Sequence, residues 1–201
     1  MQNKKGGEHA PSLSPHQSTT GGSFDEQDPV LFMLATHQRM IAACNQLCAI
    51  SDDIWLRGRE HISAAVLTFL ETELPLHMED ERFSLLPRLR MRLGETIIAD
   101  ALMTNIEERL YHDHELGRQL VNGVTGGLAA ISIGSVPEYP AFFAVELIRL
   151  ELHLREHIRW QESLVFPIAS EHLTTDDLGN MMHEIKVRRG AGSVRENWLE
   201  R

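Results

Sequence analysis

The stretch LHMEDERFSLLP, residues 76–87, sets His77 four residues ahead of Glu81 and closes an apolar run on Pro87. Residues 156–167, EHIRWQESLVFP, repeat the phrase, with His157 and Pro167 at the same spacing. Helical residues four apart share a face, so His77 and Glu81 point the same way. That face is the apolar one, and a carboxylate buried there without a partner costs several kcal/mol, which neutral imidazoles do not offset. A divalent cation does. Imidazole nitrogen with carboxylate oxygen suits iron, zinc or manganese. No HExxH and no C-x-x-C occurs, and no histidine has a glutamate three residues before it. The Glu-x-x-His pairs of ferritin-like di-iron bundles are therefore absent.

The elements that carry these residues follow from periodicity. Asp28-Pro29 reads as an N-cap acid with proline at the first helical position. Val30, Leu34, His37, Ile41, Cys44 and Cys48 then recur at steps of four and three, a helix seam. A second helix starts near residue 58 with Ile62, Val66, Leu70, Glu73, His77 and Glu81 on its seam, and Pro75 inside it predicts a kink one turn before His77. A third runs from about Thr96 to Ile131 through Leu110, His114, Gly117 and Val121, with Gly123, Gly126 and Gly127 expected to weaken its end. A fourth follows Pro140 through Leu147, Leu150, Leu154, His157 and Gln161, and a short fifth begins at a Thr/Asp cap near residue 174. No stretch alternates as a strand does. The expected fold is all-α, an up-down-up-down four-helix bundle over residues 28–190 with a short C-terminal accessory helix. Residues 1–27, rich in Gly, Ser, Pro and Thr, are expected to be disordered, and 191–201 to form a loose tail.

Each long helix thus carries one histidine on its seam: His37, His77, His114 and His157. Any one alone reads as a core histidine. Antiparallel pairing of the helices brings all four to within about a turn in height, so a shared cause is favoured.

The net charge of −10, with no basic run longer than VRR at 187–189, argues against a nucleic-acid or anionic-membrane partner. The N-terminus lacks the apolar core of a signal peptide and no run reaches membrane-spanning length, so a cytoplasmic location is expected. Cys44 and Cys48, four apart on a helix, read as two buried thiols rather than a redox pair.

The phrases PLHMEDERFSLLPRLR and EHIRWQESLVFPIA, with THQRM around His37, YHDHELGR around His114 and LGNMMHEIKVRRG near the end, resemble the hemerythrin-like, HHE cation-binding family. The resemblance spans residues 28–190. It implies a dinuclear non-haem site of two iron ions, oxo- or carboxylate-bridged, with zinc or manganese as alternatives. His37, His77, His114 and His157 would be terminal ligands, and Glu81 with one residue of the fourth helix would bridge. The implied function is binding or sensing of a small diatomic molecule, oxygen or nitric oxide, or iron buffering. Two rivals remain: a di-iron oxidoreductase acting on peroxide or nitric oxide, and a metal-free structural or interaction domain. The balance leans away from an enzyme, and the resemblance names no protein partner.

The pattern departs from the family on the fourth helix. A carboxylate is expected four residues after His157, where the chain has Gln161; Glu162 follows at five and would reach inward only through local distortion. Glu162 is the expected ligand, with Gln161 and His153 as further candidates. Leu110 stands where the oxygen carriers have a second histidine. His61, His112, His172 and His183 are read as surface residues, and Glu79 and Asp80 as solvent-side charges. Gly117, one turn past His114, is read as leaving room for a small ligand.

Overall fold

A computed structural model describes residues 28–196 except 56 and 95, with side chains as far as residue 190. The segment 1–27, expected to be disordered, and the end of the expected tail, 197–201, lie outside the described residues. No strand occurs among the described residues, and no described helix is long and apolar enough to cross a membrane.

The described residues form five helical rods. The first is α1 (Pro29–Asp52), capped by Asp28, whose Oδ1 accepts from the backbone N–H of Val30 at 2.8 Å and Leu31 at 3.3 Å. The second comprises α2 (Glu60–Thr68), α3 (Leu74–Asp80) and α4 (Leu86–Leu93), joined by π turns at Phe69–Glu73 and Glu81–Leu85. The third is α5 (Ile97–Ser132), capped by the Thr96 hydroxyl. The fourth comprises α6 (Pro140–Trp160), a π turn at Gln161–Val165, and α7 (Phe166–His172). The fifth, α8 (Thr175–Glu196), opens with a reciprocal cap: Thr174 N–H donates to Asp177, and Asp177 N–H donates to the Thr174 hydroxyl.

Prolines explain the π turns. Leu74, Leu86 and Phe166 each donate their backbone N–H five residues back, to Phe69, Glu81 and Gln161. The next residue in each case is proline: Pro75, Pro87 and Pro167. A proline ring inside a helix clashes with the carbonyl four residues behind it and donates nothing; a turn widened by one residue relieves the clash. The distortion expected from Pro75 takes this form; it recurs at Glu81–Leu85, where the sequence reading placed none, and at Gln161–Val165, where turning Glu162 inward required one.

α5 differs from expectation in the opposite sense. It runs unbroken for 36 residues through its glycines. A Cβ at Gly127 would run into the Phe143 ring, so this glycine gives α6 room to pack on α5 rather than being a weak point.

α1 lies along α6, α2 on α5, and α5 on α6, while α8 packs across α1 and α3. The apolar interior is in two parts. One gathers Met40, Leu47, Leu74, Leu120, Leu147 and Leu154. The other gathers Met33, Leu85, Leu110, Met103, Trp160 and Val165. On every long rod the seam histidine falls between a member of one part and a member of the other, so a polar belt crosses the bundle between two greasy halves.

Candidate metal centre

The belt consists of His37, His77, Glu81 and Gln161, all with no measurable exposure, and His114 and His157 at 8% and 4%. Glu81 is at its middle. Its Oε1 lies 2.7 Å from His77 Nε2 and 3.7 Å from His157 Nε2, and its Oε2 lies 2.7 Å from His114 Nε2. Atoms able to hold a metal ion form two groups, His37/His77/Glu81 and Glu81/His114/His157, each with its members within 4.8 Å of one another. The two groups share Glu81 alone.

The rings are oriented from behind by carboxylates. Glu162 Oε1 accepts from His37 Nδ1 at 3.0 Å, and Asp113 Oδ2 lies 3.4 Å from His157 Nδ1. A carboxylate on Nδ1 holds the proton there and turns the Nε2 lone pair inward, the tautomer a metal ligand needs. On the inner edge of His37, Nε2 then faces Gln161 Oε1 at 3.0 Å. Two acceptors at that distance need either a cation between them or a rotated amide.

Whether these residues suit a metal can be judged from their unmet valence. Both nitrogens of His77, Oε1 of Glu81, Nε2 of His157 and Nε2 of Gln161 are buried without a hydrogen-bond partner. His77 and Glu81 are close enough to bond but misaligned for it. Buried polar atoms are almost always satisfied, so unmet acceptors on Glu81 and the imidazoles, gathered in one belt, fit divalent cations; the Gln161 amide nitrogen is a donor and takes no part in this.

Electrostatics agree. Burial would raise the Glu81 carboxyl, but His77, His114 and His157 outweigh it and hold Glu81 well below the usual carboxylate range. Burial, reinforced by His77, pushes His37 down to about 3. Burial also opposes charge on His157, yet Asp113 and Glu81 reverse this and lift it to about 9.

The structure thus brings together His37, His77, Glu81, His114 and His157 as the sequence suggested. Glu162 is not in either group; it sits on the outer edge of His37, with its side chain 35% exposed. The local distortion that would have turned it inward exists, but it begins at Gln161, which takes the inner place. His153 is half-buried and donates from Nε2 to the Asp113 carbonyl at 2.8 Å, outside both groups. Gly117 does not leave a pocket: a Cβ there would lie 3.2 Å from Met78 Cε and 3.3 Å from His153 Nε2. Asp80 is not a solvent-side charge. It is wholly buried and paired with Arg188 and Arg189 of α8. His61, His112, His172 and His183 are exposed, as is Glu79. Cys44 and Cys48 are free thiols, both pushed up by burial, Cys44 to about 12, and so are poor nucleophiles. Asp113 was missed. Its only signal was its place beside His114, one turn after Arg109.

Compared with known proteins, residues 28–169 match the family described as Hemerythrin HHE cation binding domain. No curated protein and no solved structure matches the chain.

Proposed function

The chain belongs to the hemerythrin HHE cation-binding family, and we propose that its belt holds a dinuclear non-haem iron centre that takes up a small molecule, oxygen or nitric oxide, reversibly. The observation that carries this reading is the position of Glu81, the one residue common to both clusters, with Oε1 2.7 Å from His77, Oε2 2.7 Å from His114 and His157 3.7 Å from Oε1. His37, His77 and Gln161 would hold one ion with Glu81; His114 and His157 would hold the other. Iron bound there supplies reversible one-electron chemistry to a diatomic ligand. The protein supplies the rest. Glu162 and Asp113 keep the His37 and His157 rings aimed inward. Met33, Met40, Leu74 and Leu85, above and below the belt, offer no group that could exchange a proton with the site. The four long rods are taken to run alternately up and down.

A second reading rests on the chain Glu81–His157–Asp113. With His157 charged, these three partly neutralise one another, so the belt can persist as a metal-free polar network in a structural domain. Iron analysis and optical spectra of protein loaded anaerobically with ferrous iron, then exposed to oxygen or nitric oxide, separate the two. Stoichiometric iron with ligand-dependent bands supports the centre. Absence of bound iron supports the network.

A further inference from the structure

α8 lies beyond the residues that match the family, yet it touches three supports of the belt. It packs on α1, which carries His37, on α3, which carries His77, and on the π turn that opens with Glu81. Two guanidinium groups reach inward from it. Arg188 pairs with one oxygen of Asp80 and donates to the Ser84 hydroxyl at 3.0 Å. Arg189 lies 2.6 Å from the other Asp80 oxygen, and its guanidinium rests over the Phe32 ring of α1, 4.5 Å from the centroid. Asp80 and Ser84 are wholly buried. One side chain, Arg188, thus holds both the residue before Glu81 and the residue three after it.

Burying these charges adds little stability. Desolvation offsets their attraction, so well-packed apolar side chains would serve the fold about as well. A fork of fixed N–H donors does something apolar packing does not: it accepts its partners in one placement. Glu81 is the residue that needs such placing. Its carboxylate has only imidazoles as polar partners among the described residues, and the wide turn it opens competes with an ordinary α turn.

We infer that Arg188 and Arg189 are positioning residues for Glu81. Through Asp80 and Ser84 they hold the backbone on both sides of it, so docking of α8 and cation binding favour one another. The coupling to cations rests on the reading of the belt as a metal centre.

Position and stability can be separated in the full chain. Asp80→Leu, Arg188→Met and Arg189→Met together remove the charges without stranding one, and urea unfolding of the metal-free triple variant is expected to stay near the parent. Its affinity for ferrous iron, by competition against a chelating dye, is expected to fall about tenfold or more. Arg92→Ala releases α8 from Asp177 at its other end, away from the turn, and is expected to keep the parent affinity. In the metal-free protein the ring resonances of His77 and His114, each 2.7 Å from Glu81, are expected to move in the triple variant and not in Arg92→Ala. Affinity kept in both variants, or lost equally in both, overturns the inference. Should the triple variant lose its helicity, Arg188→Lys, which keeps a charge on Asp80 but not the fork to Ser84, is held to the same readouts. A parent chain that takes up no iron sinks the metal reading instead, and the ring resonances then decide: unmoved rings overturn the placement of Glu81 by α8.

Discussion

Asp113 and Glu162 touch no ligating atom's inner edge, yet they decide which nitrogen of His157 and His37 faces the centre. Removing such a carboxylate usually costs about 10- to 100-fold in metal affinity. Asp113→Ala is expected to lose iron affinity in that range while keeping its fold, read by competition against a chelating dye. Protonation adds a second expectation. His157, lifted to about 9, stabilises the metal-stripped protein fully below its ordinary 6.5, and this contribution is lost as pH rises through 9. His37, held down to about 3, acts oppositely: the unfolded chain takes up its proton below 6.5 and the folded ring does not, so stability falls as pH drops from 6.5 towards 3. Urea unfolding of the stripped protein should therefore show a maximum near 6.5; a flat profile across that window contradicts the assignment. Metal uptake at neutral pH should also release a proton, the one on His157. The histidines of the belt were legible in the sequence because each interrupts an apolar seam at helical spacing. Asp113 was not, because it lies off the seam and its role depends on the height of a neighbouring rod. Asp80 was misread within an acidic run whose basic partner, Arg188, is 108 residues away.

Elements set the register of the site. The π turns at Glu81–Leu85 and Gln161–Val165 each begin on the residue four after a belt histidine and end one residue before an X-Pro step. The repeated phrase in the sequence is thus the record of a repeated distortion, with the proline as part of it. Pro167→Ala restores a backbone donor and removes the clash, which lets an ordinary α turn compete with the wide one. This variant is expected to keep its helicity and to bind iron more weakly, most simply seen as incomplete loading under conditions that saturate the parent chain. α8 makes a different contribution. Arg188 and Arg189 enclose buried Asp80, one residue from Glu81, while Arg88–Glu184 and Arg92–Asp177 pin the helix further along. Arg188→Ala with Arg189→Ala strands the Asp80 charge and should destabilise the fold by about 3–5 kcal/mol in urea unfolding. Helix existence and order were readable from periodicity and caps. The π turns were not, because a proline announces trouble without saying how the backbone resolves it.

At the scale of the molecule, two apolar halves meet at a belt that is unfavourable on its own. Buried carboxylate, lone pairs without donors and four packed imidazoles raise the energy of the metal-free fold, and cations remove that cost. Metal should therefore stabilise the whole bundle, because a ligand that binds only the folded state raises its stability by mass action. Glu81 is proposed to join two cation sites, and iron content per chain after anaerobic loading, measured side by side for the parent protein and Glu81→Ala, is the sharpest test. About two irons per chain are expected in the parent and near-complete loss in Glu81→Ala, since both clusters share that residue. Two irons retained without the Glu81 carboxylate, or no stoichiometric metal in the parent, would contradict it.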